Sequence, residues 1–260
     1  MQNDVKYDQY YTNEAVAADC YRVFCEHFNP IFCKMVEPSA GTGSFFKLLP
    51  SRSLGYDVEP KHPGIRQADF LTVEIRSEWK VAVIGNPPFG KNASMAVRFF
   101  NHAAREARII AMIVPRTFRK AKIQNRLDRN FHLVREVAVP KNAFVFRNRR
   151  YDVPTIFQIW ERRPEPRARV LVETTHPDFA FTSRDDANFA IRRIGARAGR
   201  IVSLDGANPS THYFIRGDVE AIMRQLDFAS AAANVAGIPS LAKSEIVALY
   251  KEWIKNHNGL

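Results

Sequence analysis

Short apolar runs closing on glycine or proline turns recur between residues 33 and 163, and most are followed by a helical pattern. KMVEPSAG (34–41) reads as a buried strand ending in a glycine turn, with a helix from about Ser44 to Leu49. RSLGYDV (52–58) and IRQADF (65–70) read as the second and third strands, and VAVIG (81–85) as a fourth that runs into NPPFG. A helix over Ser94–Glu106 has Ala96, Val97, Phe99, Phe100 and Ala103 on one face. RIIAMIVP (108–115) is a fifth strand, a basic helix follows over about Lys120–Asn130, and LVREVAVP and PTIFQIWERR complete seven. Strands alternating with helices bury their apolar surface as a mainly parallel sheet covered on both faces. No helical pattern separates the last two strands, so an antiparallel hairpin is expected to end the sheet.

Upstream, residues 13–28 carry Val16, Cys20, Val23, Phe24 and Phe28 at helical spacing, with Asn13 as the cap. The charged, proline-rich run RRPEPRAR (162–169) suggests a domain boundary, giving a sheet domain over 1–164 and a small α+β region over 165–260. Helices are expected there over about Asp218–Asp227 and Lys243–Asn256.

Charge is unevenly spread. Residues 1–90 hold nine Lys/Arg against eleven Asp/Glu, residues 91–164 seventeen against five, and residues 165–260 twelve against eleven. An excess concentrated in the middle segment points to a polyanionic partner. No apolar run approaches the ~20 residues that span a bilayer. The start, MQNDVKYDQYYTNE, has neither a signal nor a transit pattern, so a cytoplasmic protein without membrane partners is expected. Cys20, Cys25 and Cys33, even with His27, lack zinc-site spacing and read as packed thiols, so no metal is expected.

Four clusters carry chemistry. Glu37-Pro38-Ser39-Ala40-Gly41-Thr42-Gly43 follows the first strand; glycines there let a cofactor approach the backbone, and a carboxylate suits an ammonium group rather than a phosphate. Gly55-Tyr56-Asp57-Val58-Glu59-Pro60 ends the second strand with an acid placed for ribose hydroxyls. Ala68-Asp69-Phe70 adds an acceptor for an adenine amino group and a ring to pack on it. Asn86-Pro87-Pro88-Phe89 is the most telling, because two prolines rigidify the strand's end and leave carbonyl oxygens without competing N–H donors. The Asn86 side chain and the Pro87 carbonyl can accept both hydrogens of an aromatic amine, while Phe89 stabilises positive charge developing on nitrogen.

In these motifs and their order the chain resembles the adenine-specific amino-methyltransferases of the gamma arrangement, whose cofactor motifs precede the catalytic NPPF motif. Gln9-Tyr10-Tyr11-Thr12 is similar to that family's N-terminal Q-[YF]-x-T motif, although Asn13 stands where the family usually has proline. The resemblance covers residues 7–160 and implies the Rossmann-like fold of class I methyltransferases. It also implies S-adenosylmethionine as cofactor and transfer of its methyl group to the 6-amino group of a flipped adenine. It puts Thr12, Glu37 and Gly41 near the methionine part, Asp57 on the ribose, and Val58 and Asp69 on the cofactor's adenine; Tyr11, Ser39, Ala40 and Phe70 complete the expected cofactor contacts. Asn86, which also touches the cofactor, forms the catalytic site with Pro87, Pro88 and Phe89.

The family's late aromatic motif corresponds to Pro140–Phe146, with Phe146 favoured to stack the target base and Phe144 as runner-up. Either ring can instead belong to a half-buried strand. Arg116, Arg119, Lys120 and Lys122, with Lys141, Arg147, Arg149 and Arg150, are the candidate phosphate contacts. DNA is favoured over RNA by the N-terminal motif and the C-terminal region, a candidate target-recognition region. RNA adenine methylation, methylation of a protein glutamine amide, and a non-catalytic nucleic-acid-binding module are the alternatives. The recognition sequence and oligomeric state are not encoded in any readable pattern.

Overall fold

A computed structural model describes residues 10–146, 149–235 and 237–257. The chain divides into two compact units, Met1–Val170 and Leu171–Leu260. The first unit opens with β1 (Tyr11–Thr12) and α1 (Glu14–Cys25), then β2 (Cys33–Glu37), β3 (Leu54–Asp57), β4 (Arg66–Gln67) and β5 (Lys80–Gly85). It continues through α2 (Ser94–Ala103), β6 (Ala107–Pro115), α3 (Ala121–Gln124), β7 (Phe131–Ala138), β8 (Phe144–Phe146), β9 (Arg149–Tyr151) and β10 (Thr155–Arg162).

Seven of these strands form one sheet in the order β4-β3-β2-β5-β6-β10-β7. The first five are parallel, and β10 runs antiparallel between β6 and β7. This is the Rossmann-like arrangement expected from the sequence, including its terminal antiparallel pair. Alternation along the central strands explains why it is covered twice. Val81, Val83, Ile110, Met112 and Val114 meet α2 on one face, whereas Ala82, Ile84, Ile109, Ala111 and Ile113 meet α1 on the other. Helix α1 starts where Asn13 accepts a hydrogen bond from the Ala15 N–H, a cap that contributes about 1 kcal/mol. Cys20 and Cys33 are buried in the α1 layer, and burial pushes the Cys20 thiol up to about 12.

Several local expectations are corrected. The helix expected over Ser44–Leu49 is one 3-10 turn, Phe46–Leu48. The basic helix expected to reach Asn130 stops at Gln124, because Asn101 and Asp128 side chains accept the N–H groups of Asp128 and Asn130 and hold a turn instead. Helix α2 ends at Ala103, short of Glu106.

A small sheet in the order β1-β8-β9 was not foreseen; Tyr11 faces Val145 and Thr12 faces Phe144 across it. The run RRPEPRAR is tied to the first unit. Asn130 donates to the Arg163 and Pro164 carbonyls, and the Arg167 guanidinium donates to those of Phe131 and Leu127. The division between units therefore falls after Val170, later than composition suggested.

The second unit is α+β. Strands β11 (Ala180–Thr182), β12 (Phe189–Arg192), β13 (Ile201–Val202) and β14 (His212–Arg216) form an antiparallel sheet in the order β11-β14-β12-β13. Helices α4 (Glu220–Met223), α5 (Phe228–Ala232) and α6 (Lys243–His257) supply Met223, Phe228, Ile246, Val247 and Tyr250 to a core with Phe189, Ile191 and Ile215. Helix α4 is shorter than the Asp218–Asp227 pattern. No helix among the described residues is long and apolar enough to cross a membrane.

Candidate active site

The first unit holds a cavity of about 520 Å³ at the carboxyl ends of β2, β3 and β5, where parallel sheets of this kind receive ligands. Four side chains lock its walls together. Ser39 Oγ donates to the Asn86 carbonyl at 2.8 Å, joining the loops after β2 and β5. Asp57 accepts from the Gly41 N–H at 2.7 Å and from the Glu59 N–H at 2.8 Å, joining the loops after β2 and β3. Ser44 Oγ donates to the Thr12 carbonyl at 2.6 Å, and Asn86 Nδ2 to the Tyr10 carbonyl at 3.0 Å, so the β1 segment closes the circuit. Gly41 sits at φ +47°, and a Cβ there would stand 2.6 Å from the Tyr11 ring. Only glycine lets the Tyr11 ring approach that turn so closely.

All eleven expected cofactor contacts line this cavity: Tyr11, Thr12, Glu37, Ser39, Ala40, Gly41, Asp57, Val58, Asp69, Phe70 and Asn86. Three of their polar atoms are buried without a hydrogen-bond partner: Thr12 Oγ1, Glu37 Oε2 and Asn86 Oδ1. An unpaired buried polar group costs about 1–3 kcal/mol. Three such atoms, from the β1 segment, the end of β2 and the loop after β5, leave the cavity lining with unused hydrogen-bonding capacity for a polar ligand. Glu37 is 2 % exposed, and burial holds its carboxyl well above its ordinary 4.5; the nearby Asp57 charge adds to this against a hydrogen bond from the Phe46 N–H. A carboxylate kept this dry is stabilised by a cation brought against it.

At the far end the character changes. Val58 is 42 % exposed at the rim, and Asp69 uses one oxygen to cap the Phe70–Thr72 turn. Phe70 is core as well as lining, with its ring 5.6 Å from Phe99 and 5.0 Å from His102. Its position is a fixed floor, not a movable lid over a ligand. Sequence reasoning missed Met95, Arg98 and Phe99 of α2, which line the cavity at i, i+3 and i+4 spacing. That spacing was legible, but which face met the loops was not.

The catalytic motif divides. Asn86 and Pro88 line the cavity, whereas Pro87 and Phe89 are outside its lining. The Phe89 ring stands edge-on to Phe144 at 6.3 Å, and the Phe89 carbonyl accepts the Met95 and Ala96 N–H groups at the start of α2. Phe144, at 1 % exposure and held in β8 opposite Thr12, is packed in the core of the first unit. Phe146, two residues on, is partly exposed and joins Tyr10 at 5.6 Å and Tyr151 at 6.1 Å in a three-ring cluster. Tyr10 also lines the cavity, so the cluster adjoins it. Neither Tyr10 nor Tyr151 had been given a role.

The basic residues are brought near in two groups. The Arg116–Arg119 turn after β6 packs against the Lys91–Ala93 turn after NPPFG, and the side chain of Lys122 on α3 is exposed. Arg119 is pulled aside by Glu136, 2.7 Å away, and Arg116 keeps a buried Nε without a partner. Lys120 is partly buried. Arg149 lies opposite Phe146 and Arg150 opposite Val145 in the small sheet, both exposed, as is Lys141. Gln9 and Arg147 lie outside the described residues. Among the described residues no group of three or more His, Cys, Asp or Glu could hold a metal ion.

No protein-family model and no curated protein matches the chain. Among solved structures it is similar to a modification subunit of a proposed type I restriction enzyme from Vibrio vulnificus YJ016, at 18% identity and a TM-score of 0.45 over 59% of this chain and 44% of that one. This chain thus spans less than half of that subunit. A proposed RNA methyltransferase from Pyrococcus horikoshii matches at 15% identity and a TM-score of 0.45 over 62% of this chain and 90% of that one. Magnesium protoporphyrin IX methyltransferase from Synechocystis PCC 6803, with S-adenosylmethionine bound, matches at 13% identity and a TM-score of 0.39, over 58% and 79%. At these scores the likenesses carry no weight on chemistry, and function rests on the geometry above.

Proposed function

We propose that the first unit is an S-adenosylmethionine-dependent methyltransferase that methylates the 6-amino group of adenine in DNA. The observation that carries this reading is Asn86: its Nδ2 is spent on the Tyr10 carbonyl, which fixes the amide and leaves Oδ1 as a buried acceptor with no partner. An aromatic amine is a weak nucleophile because its lone pair is delocalised into the ring. Asn86 Oδ1 takes one of its hydrogens and the Pro87 carbonyl is assigned the other, which favours a tetrahedral nitrogen with its lone pair free. The positive charge that grows on nitrogen is met by the Asn86 amide dipole, which the Tyr10 carbonyl already holds in position.

The cavity residues fit the cofactor. Glu37 offers a dry carboxylate to the ammonium group, with Thr12 Oγ1 beside it as an unused polar atom. Asp57 has lone pairs to spare for ribose hydroxyls, and Val58, Asp69 and Phe70 form a slot for the adenine ring. Bound there, S-adenosylmethionine would supply an electrophilic methyl group, while Asn86 Oδ1 would orient the target amine so that its lone pair faces that methyl. Phe146 with Tyr10 and Tyr151 is assigned to the extruded target base, since an aromatic surface beside the cavity compensates lost stacking. The exposed Lys122, Lys141, Arg149 and Arg150, with Arg116, are assigned to the flanking phosphates.

The test is incubation with labelled S-adenosylmethionine and matched duplex DNA, single-stranded DNA, RNA and protein, followed by nucleoside analysis. 6-Methyladenine in DNA supports the reading. Label confined to RNA would replace DNA by RNA as substrate, and label in glutamine amides alone would overturn the adenine assignment.

A further inference from the structure

The second unit is almost electrically neutral, yet its arginines are not evenly placed. Strand β12 pairs with β13 so that Ala190 faces Val202 and Ile191 faces Ile201. The pairing continues one step further: the Arg192 N–H donates to the Arg200 carbonyl at 2.9 Å, and the Gly199 N–H donates to the Arg192 carbonyl at 2.7 Å. Gly199 and Arg200 thus both oppose Arg192, a bulge that requires the φ of +91° at Gly199, where a Cβ would also strike the Phe228 backbone at 2.8 Å.

Alternation then puts Arg192 and Arg200 on the same face of the sheet, opposite to the face on which Ile191 and Ile201 join the helical core. Directly opposed residues have Cβ atoms about 5 Å apart, and like charges at such a pair are destabilising. His212 lies on the other side of Arg192 in the same row. The exposed Arg197 sits on the turn between the strands, and Arg193 lies over the Tyr213 ring while its guanidinium donates to the Ser210 carbonyl.

Among the described residues none of Arg192, Arg193, Arg197 or Arg200 is in an ion pair. This end of the sheet face is also left without a helix; the residues packed on its remainder, Ala187, Leu204 and Ala207, come from loops.

We propose that this face is a nucleic-acid docking surface, in which Arg192, Arg197 and Arg200 take up backbone phosphates. An opposed arginine pair without a carboxylate is costly to the free protein and is relieved when a polyanion lies across it. The hairpin is held by backbone bonds and by Gly199; Arg192 Nε donates to the Ile194 carbonyl at 3.1 Å, which anchors that guanidinium by one nitrogen, while Arg197 and Arg200 stand exposed. Direct phosphate contact is sequence-independent, which gives this unit a gripping role whether or not it also reads bases. The proposal rests on the reading of the protein as one that acts on nucleic acid, but it does not require that methyl transfer occur.

The test uses the full chain and a fluorescently labelled DNA duplex, with anisotropy measured over a salt series. Replacing Arg192, Arg197 and Arg200 together by Gln is expected to weaken binding about tenfold or more at moderate salt. It should lower the slope of log affinity against log salt by roughly 2 to 3, since each phosphate contact contributes about 0.9. Replacing the same three by Lys should keep most of the slope. The Gln variant should melt no lower than wild type, because the opposed charges are gone. An unchanged affinity and slope in the Gln variant would overturn the proposal, as would loss of binding to anionic lipid vesicles with duplex affinity intact. Nucleoside analysis of the same samples keeps the two ideas separate: slope loss without 6-methyladenine supports the docking face and removes the adenine reaction. 6-Methyladenine with an unaltered slope does the reverse.

Discussion

Replacing Asn86 by Ala should raise stability while nearly abolishing methyl transfer, and both magnitudes follow from its bonding. The substitution removes one partly buried hydrogen bond, Nδ2 to the Tyr10 carbonyl, worth about 1 kcal/mol. It also removes Oδ1, a buried acceptor with no partner, whose desolvation costs the folded state about 1–3 kcal/mol. The Tyr10 carbonyl sits on a partly exposed residue and can be rehydrated. The balance runs from zero to about 2 kcal/mol in favour of the variant, or up to about 4–8 °C in melting temperature for a unit of this size. Turnover should fall roughly 100- to 1000-fold, the usual consequence of losing one group that meets developing charge. Cofactor affinity should fall far less than turnover, because Asn86 is one of several assigned cofactor contacts and Glu37, Asp57 and Asp69 are untouched. Asn86→Asp provides the contrast: it sets a carboxylate oxygen against the Tyr10 carbonyl and should lose stability where Asn86→Ala gains it. Scanning calorimetry, single-turnover methyl transfer and calorimetric cofactor titration read the three quantities. A variant that melts several degrees lower, or that turns over normally, would refute the reasoning that Oδ1 is kept unpaired for the target amine.

Glu37→Gln tests the other unpaired group. Its carboxyl lies above 4.5 in the folded protein, so between that value and the folded one the native state binds more protons than the unfolded chain and stability falls as pH rises. The variant's stability advantage should therefore grow with pH above 4.5 and then level off, while its cofactor affinity drops; melting curves across pH showing no such divergence would remove the buried charge from the argument. Gly41→Ala forces a Cβ to 2.6 Å from the Tyr11 ring at a φ that costs an L-residue about 1–2 kcal/mol, so calorimetry should show weaker cofactor binding and a lower melting temperature. Asp57→Ala frees the Gly41 and Glu59 N–H groups and should weaken cofactor binding; an unchanged dissociation constant would take Asp57 off the ribose. Phe144→Ala should destabilise by about 3–5 kcal/mol as a core truncation, whereas Phe146→Ala should mainly raise KM for nucleic acid. The opposite pattern would return Phe144 to the base.

The centre of the sheet was readable because β2, β5 and β6 are buried apolar runs that close on glycine or proline turns, and the cofactor loops because glycines and acids cluster where such runs end. What escaped notice depends on distant segments. Nothing in Tyr10-Tyr11-Thr12 announces that it pairs with Phe144 and Val145, yet that pairing buries Phe144 and leaves Phe146 outside. The anchor for Asn86 is a backbone carbonyl, which has no sequence signature. Helices were overextended at Ser44 and Lys120 because Ser44, Asn101 and Asp128 spend their side chains on backbone groups, which apolar periodicity does not register. In the second unit, a near-zero net charge concealed the opposed arginines, since summation along the chain ignores which residues face each other.

The most direct measurement is transfer of labelled methyl from S-adenosylmethionine to duplex DNA by wild type and Asn86→Ala in parallel, with the product nucleoside identified. 6-Methyladenine from wild type, and a loss of at least about 100-fold in the variant with cofactor binding retained, is the expected result. Tight cofactor binding without any methylated adenine in DNA or RNA would contradict the proposed activity.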